Sequence, residues 1–392
     1  MIDFSLVSKI KKEEQIILLD IGSEAVKALL VGENGHKIKI FASSLEYFEK
    51  YGAFDSTDFE KDVLKNTISR AIQRLREGAN KSIILGLPAD ILKARTVYQN
   101  LEREKPKEMI DEKEEKKIYE KILDEAKKEI SQVYGQKSGI LPQDIRFINL
   151  KIVKIKIDGY KVSAIQKYEG KNLDFVVLAT FLPSHYFKKI HNIIEQLDLK
   201  VEAIIQEAEG LNSYLKTEET ERIFLDIGGA ITQIFLTKGG ILEKIDEFPV
   251  GGQIFSKTIS ERLGMIENEA RLLKERYSKG QLSKESSDRI KEIFWFPSQT
   301  WFKNLKLKLK EMTEGYLIPL NIIIFGGGSQ LPEIKEILEK GDWESLSFSG
   351  GFKVQFFSIN DNKTDSLLEG LKYLNSPQET PSLLILYAKK SY

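Results

Sequence analysis

Arg222-Ile-Phe-Leu-Asp226-Ile-Gly228-Gly229-Ala230-Ile-Thr-Gln-Ile-Phe-Leu236 is the stretch on which the reading of this chain turns. An apolar run, Ile223 to Leu225, ends in Asp226; three small residues follow, and a second apolar run begins at Ile231. The pattern predicts a buried strand, a tight glycine turn and a strand coming back. Glycine lets the backbone adopt φ > 0 and lets peptide N–H groups approach an anion with no Cβ in the way. An acid at the strand's end beside such a loop suits a hydrated Mg²⁺ on a polyphosphate.

The same pattern occurs earlier, in Ile16-Ile-Leu-Leu-Asp20-Ile-Gly22-Ser23-Glu24-Ala25-Val26-Lys27-Ala-Leu-Leu-Val31. A repeated supersecondary unit carries more weight than either copy alone. A third glycine turn, Gly326-Gly327-Gly328-Ser329, follows the apolar run Ile322 to Phe325. Here the strand is predicted to lead into a helix with Pro332 in its first turn. The dipole and free N–H groups of that helix end are placed to face a nucleotide.

These three turns, in this order, resemble the phosphate and adenosine motifs of the actin-like ATPase superfamily. Within it, Phe248-Pro249-Val250-Gly251-Gly252 and Ala270-Arg271-Leu272-Leu273-Lys274-Glu275-Arg276-Tyr277 are similar to bacterial FtsA, the actin-like division protein, with the pilus-assembly protein PilM as close relative. The resemblance implies an α/β, two-lobed fold of duplicated ribonuclease-H-like domains that close on ATP and Mg²⁺. It makes Asp20 and Asp226 the metal residues, acting mostly through water. Gly22, Ser23, Gly228, Gly229 and Ala230 would donate backbone N–H groups to the phosphates. Gly327, Gly328 and Ser329 would pack on the adenosine, and Lys27, Gly251, Gly252 and Gly326 complete the nucleotide-binding set. Lys274 takes the place of a lysine beside the nucleoside. Glu207 resembles the position where an acid or amide orients the attacking water; a glutamate favoured by the dipole of its own helix fits the same residue. Three positions depart from the pattern: Ala230 replaces a third glycine, Gln233 an aspartate, and Arg271 the acid expected one turn before Lys274. Backbone donors survive the first two changes, catalytic use of the aspartate does not, and the ribose contact loses its acid. Binding with at most slow ATP hydrolysis is the expectation.

A chain of 392 residues exceeds what one core usually organises, so at least two domains are expected. Lys plus Arg and Asp plus Glu stand at 59 each, and no basic stretch with interleaved aromatics calls for nucleic acid. The absence of cysteine excludes disulfides and cysteine-based chemistry and fits a reducing cytosol. No apolar run reaches the length of a membrane span. A cytoplasmic location is expected, with peripheral attachment to the inner face of the membrane if the chain is FtsA-like.

In chain order, residues 1–80 open the first actin-like domain. Met1 to Lys12 reads as a membrane-surface helix or a frayed lead-in. Strands are predicted at Gln15–Asp20, Val26–Val31 and Lys37–Ser43, then a helix from Phe59 to Arg76 capped by Thr57 or Asp58. Residues 81–178 read as an inserted α+β (SHS2-like) domain: a strand at Ser82–Leu87, a charged helix from Asp111 to Val133, a loop from Gly135 to Pro142, and strands at Ile145–Ile157, Tyr160–Gln166 and Leu173–Thr180. The family's Pro-x-Gly run is replaced by Gln166-Lys167-Tyr168-Glu169-Gly170. Residues 179–217 return to the first domain, 218–340 form the second, and 341–392 go back to the first, with strands at Phe352–Phe357 and Ser382–Ala388. His185 and His191 lack metal-ligand spacing and read as surface residues. Arg289–Lys310 is predicted helical on both sides of Pro297, with Trp295, Phe296, Trp301 and Phe302 clustered there as core or, in a second reading, as partner surface.

The resemblance implies an ATP-binding cytoskeletal protein of bacterial cell division that polymerises with itself and meets an FtsZ-like tubulin homologue. The alternative is a PilM-like scaffold of type IV pilus assembly that holds a peptide of a pilus inner-membrane protein. FtsA-like proteins usually end in a linker and an amphipathic helix; the stretch up to Tyr392 has none, which leans towards PilM. A small-molecule kinase on this fold is a third reading and needs an acceptor-activating aspartate that the sequence does not mark.

Overall fold

The computed structural model is described here over residues 15–34, 37–49, 60–75, 81–214, 221–313, 317–319, 321–343, 346, 353–356, 368–370 and 372. Met1 to Lys12, the caps Thr57 and Asp58, and Ser382–Ala388 lie outside these residues.

Strand β1 (Ile16–Ile21) is buried along its whole length, which accounts for its unbroken apolar run. It pairs antiparallel with β2 (Ala25–Asn34), and β2 with β3 (Lys37–Tyr47). Helix α1 (Lys61–Gln73) buries Leu64, Thr67, Ile68 and Ala71 on one face and crosses to β4 (Ser82–Gly86). β4 lies parallel to β1. That pairing puts it in the first sheet, although residues from 81 onward were expected in the inset.

The inset contains β5 (Lys93–Glu102), α2 (Glu112–Ser138), β6 (Ile145–Ile157), β7 (Tyr160–Val162) and β8 (Asn172–Pro183), in sheet order β5-β8-β6-β7. α2 starts on the Asp111 side chain, which accepts from Glu114 N at 2.7 Å. It runs past the expected end and through Gly135, stopping at Gly139 in the left-handed conformation (φ 73°). The expected strand beyond Val162 is instead a loop. Lys167 N donates to Ile110 O and Ile110 N to Tyr168 O, so this segment bonds to the approach to α2 and not to β6.

The chain returns through α3 (Ser184–Gln196) to β9 (Lys200–Ile204), parallel to β4, and enters α4 (Glu207–Tyr214). The second lobe then repeats the plan with β10 (Arg222–Ile227), β11 (Thr232–Lys238) and β12 (Ile241–Phe248). Helices α5 (Gln253–Leu263), α6 (Glu267–Ser278) and α7 (Lys284–Thr313) lead to β13 (Asn321–Phe325), α8 (Pro332–Lys340) and β14 (Lys353–Phe356). Strand β15 (Leu368–Glu369) pairs with β3. Residues 341–392, expected to return to the first domain together, are thus divided: β14 completes the second sheet and β15 joins the first.

The orders β3-β2-β1-β4-β9 and β12-β11-β10-β13-β14 match strand for strand, with the same parallel and antiparallel senses. Each lobe has its own core, and a further core is shared: Leu18, Leu29 and Ile84 join Ala208 and Leu211 of α4 with Phe224, Phe235 and Phe325. α7 stays helical through Pro297. Ser298 Oγ donates to Phe294 O (2.6 Å) and Thr300 Oγ1 to Phe296 O (3.1 Å), supplying side-chain donors beside the missing proline N–H. Trp301 and Phe302 are core as expected, and Trp301 Nε1 donates to Thr232 Oγ1 (2.9 Å). Trp295 and Phe296 are not: 68% and 66% exposed, they lie off the buried stripe of α7.

Candidate functional site

Each lobe ends its central strand in Asp-Ile-Gly and turns at once. Gly22 N donates to Ala25 O (2.8 Å) and Gly228 N to Ile231 O (3.0 Å), closing two equivalent turns. A Cβ would come within 3.2 Å of Ala25 O at Gly22 and within 3.0 Å of Ile231 O at Gly228, so both turns favour glycine. A segment after the third strand braces each loop: Phe48 N donates to Glu24 O in the first lobe, Gly252 N to Gly228 O and Gln253 N to Gly229 O in the second.

The two loops meet. Ala230 N donates to Ser23 Oγ at 3.1 Å, and a Cβ on Gly229 would lie 2.5 Å from that hydroxyl and 2.9 Å from Glu24 Cγ. Around this contact sit three acids. Asp20 is buried and ion-paired with Lys27 at 2.9 Å, its antiparallel neighbour across β1 and β2. Asp226 stands in the same register opposite Gln233, whose Oε1 accepts from Gln206 Nε2 at 2.8 Å. Glu207, the first residue of α4, is buried with Oε2 lacking a hydrogen-bond partner. Gln206, which sequence reasoning passed over, caps α4 through Oε1 on Ala208 N (2.6 Å) and so carries Glu207 into place.

Loss of water pushes the Asp226 carboxyl up to about 7; Lys27 opposes this and Asp20 adds to it. Glu207 is held well above the usual carboxylate range by burial first, then by Asp226 and Asp20. Three acids served by one nearby lysine form a site that favours an added cation. Among the described residues no three acids or histidines come close enough to ligate a metal directly. Asp20 and Asp226, which the resemblance assigns to a water-held cation, both stand beside this contact between the loops.

On the other side of the loops, the Gly326 turn lies under Asp226: a Cβ on Gly326, which has φ 83°, would collide with Asp226 Oδ1. The strand does not pass directly into α8; a 3₁₀ turn, Gly327–Gln330, intervenes. Ser329 Oγ bonds back to Gly326 O (2.7 Å) and is buried in its own turn. Gly252, Gly328 and Lys274 converge, with Gly328 Cα 3.7 Å and Lys274 Nζ 3.5 Å from where a Gly252 Cβ would be. Lys274 Nζ donates to Gly252 O (3.3 Å) and to Glu24 Oε2 (3.4 Å). Arg271 reaches across to the first lobe, donating from Nη2 to Phe48 O (3.0 Å) with its guanidinium 5.1 Å from the Tyr47 ring centroid. Tyr47 OH donates to Glu275 Oε2 (3.1 Å) and Asn268 Nδ2 to Glu49 O (2.6 Å), so α6 clasps the end of β3.

The sequence-expected residues from both hairpins, Gly251, Gly252, Lys274 and the Gly326–Gly328 turn therefore lie close together where the two loops meet. Glu24 and the contacts of α6 with β3 were not foreseen, because they join residues more than two hundred positions apart. His185 and His191 are exposed, and His191 Nδ1 lies 3.3 Å from Glu195.

The architecture is the actin-like ATPase fold. The family described as "Cell division protein FtsA" matches residues 223–372. A chain of the PilM-PilN type IV pilus biogenesis complex superposes with a TM-score of 0.71 at 15% identity, over 97% of this chain and 100% of that one. Ethanolamine utilization protein EutJ from Carboxydothermus hydrogenoformans gives 0.45 at 11% identity, over 89% and 87% of the two chains. MreB 5 of Spiroplasma citri bound to AMPPNP gives 0.44 at 11% identity, over 88% and 92%. Comparison with curated proteins yields no match.

Proposed function

We propose that the cleft between the two Asp-Ile-Gly hairpins binds ATP with Mg²⁺, and that binding governs assembly of this chain with itself or a partner. The observation that carries this reading is the meeting of the two loops, Ala230 on Ser23, around Asp20, Glu207 and Asp226. The residues fit the ligand: Glu207 Oε2 and Gln233 Nε2 are buried without a hydrogen-bond partner, and a Cβ at Gly229, Gly251, Gly326 or Gly328 would strike neighbouring atoms. Bound Mg²⁺ would neutralise the polyphosphate and draw the acids into their charged forms. Ser23 and Gly229 offer backbone donors to the phosphates, joined by Ala230 once its N–H leaves Ser23 Oγ, while Gly22 and Gly228 use theirs to close the turns. Lys27 holds Asp20. Gly251, Gly252, Gly326, Gly327, Gly328 and Ser329 wall the nucleoside side, with Lys274 between that wall and the second loop. Each lobe supplies one loop, so a ligand touching both biases their relative position.

Turnover is slow in this reading. Gln233 stands where the resemblance expects an aspartate, and a neutral amide cannot take up a proton in its place. Calorimetry with Mg-ATP tests the binding: micromolar affinity is expected, and silence from the wild-type chain and from Glu24→Gln alike sinks the reading.

The biological role we propose is FtsA-like, a polymerising actin-family protein of cell division at the inner face of the membrane; the family match over the second lobe supports it. The PilM-like role, a pilus scaffold holding a partner peptide, is the second reading; what favours it is the resemblance at 97% coverage to a chain of a pilus complex. Among the described residues no helix is long and apolar enough to cross a membrane. Sedimentation with ATP and liposomes separates the two: filaments on lipid favour the first, a monomer that needs a pilus-protein peptide the second.

A further inference from the structure

Glu24 takes no part in the ligand contacts assigned to the two hairpins. It follows Ser23 in the first hairpin, yet its carboxylate points into the second lobe, at Lys274 Nζ (3.4 Å). Lys274 is buried and Glu24 half-buried, at 6% and 13% side-chain exposure, so water screens their attraction only in part. Lys274 is fixed beside the second loop by its bond to Gly252 O. The other oxygen of Glu24, Oε1, is buried and has no hydrogen-bond partner. A carboxylate from one phosphate loop therefore sits on the cation beside the other, and Gly229 must stay a glycine for it to lie there.

We propose that Glu24 is an internal competitor for the anionic ligand of this cleft, occupying Lys274 until a polyphosphate displaces it. The inference rests on nucleotide binding between the hairpins and specifies how that binding is restrained. The ammonium bonds Gly252 O and the Glu24 carboxylate, with Glu275 Oε1 farther off at 4.0 Å; a more highly charged polyphosphate outbids Glu24, and an uncharged ligand does not. Displacement also removes one of the links between α6 and the first lobe, leaving those of Arg271, Tyr47 and Asn268.

The test is calorimetry of Mg-ATP and of inorganic triphosphate on the intact chain, in wild type, Glu24→Gln, Lys274→Met, the double variant and Asn268→Ala. Glu24→Gln should tighten both ligands about tenfold, the scale expected when one buried charge pair stops competing. The gain should vanish in the Lys274→Met background. Asn268→Ala, which loosens α6 without touching Lys274, should bind like wild type, and amide exchange along α6 shows whether it loosens. If wild type binds and Glu24→Gln binds no tighter, this inference is overturned and the nucleotide reading stands. It is likewise overturned if the gain persists without Lys274, or if Asn268→Ala reproduces it. Silence from wild type and Glu24→Gln alike overturns both; silence from wild type with binding by Glu24→Gln supports both.

Discussion

The two hairpins share backbone, register and position and differ in charge. Opposite Asp20 stands Lys27, within 2.9 Å; opposite Asp226 stands Gln233, which turns to Gln206. In the first lobe the carboxylate has its counter-ion built in. In the second the facing residue is neutral, Lys27 acts only from the other lobe, and burial raises the carboxylate's affinity for a proton to mid-range. Duplication copied the geometry, because both turns close on the same glycine-dependent bond. Nothing in that geometry fixes what faces the acid, so the two lobes have come apart there.

The most forceful way to break this contrast is to neutralise each acid in turn. Asp20→Asn should cost about 3 kcal/mol by leaving the part-buried Lys27 ammonium short of its carboxylate. Asp226→Asn at pH 8 should cost nothing or stabilise, since it removes a charge that burial disfavours. Urea unfolding measures both; equal losses would mean that the hairpins are electrostatically alike after all. Next comes the brace. A Cβ on Gly251 would strike the carbonyl oxygens of Gly228 and Gly229, so Gly251→Ala should destabilise by about 2 kcal/mol and disturb only the second loop, as amide exchange would report.

The third prediction concerns pH. Asp226 titrates near 3.8 when unfolded and near 7 when folded, so between those values the folded chain holds a proton that the unfolded chain has released. Its contribution to stability is therefore full below about 3.8 and is lost as pH rises through about 7. Unfolding free energy should fall from pH 5 to pH 7.5 by up to about 1 kcal/mol per pH unit, most steeply at the acid end. Asp226→Asn should flatten much of that slope, leaving the share of Glu207. Gln233→Lys should flatten it too, by giving the second hairpin the cation that the first already has.

Much of this was legible in the sequence, because strands and turns are written locally. Asp-Ile-Gly after an apolar run specifies a buried strand and a tight turn within a few residues, and its repetition declares a second lobe. What was not legible depends on partners far along the chain. Ser82–Gly86 looks like any short buried strand, and only its pairing with β1 places it in the first sheet. Gly135 reads as a helix stop, yet α2 runs through it to Gly139. Trp295 and Phe296 read as core by composition, while their angle on α7 turns them to solvent. In the site, Lys274 could be placed by motif; Glu24 as its partner, 250 positions away, could not.

The smallest expected effect bears on the turn itself. Ala230 stands where the sequence pattern has a third glycine, and its N–H still donates to Ser23 Oγ. It is not among the described residues with positive φ, so its methyl group fits the backbone it has. Ala230→Gly should therefore lower stability by about 0.5 kcal/mol, through a looser unfolded chain, and leave Mg-ATP affinity within about twofold. The donor is a backbone group that neither residue alters. A larger gain in affinity would mean that the methyl group holds the loops apart, and the difference between the hairpins would then lie in their shape as well as in the residue facing each aspartate.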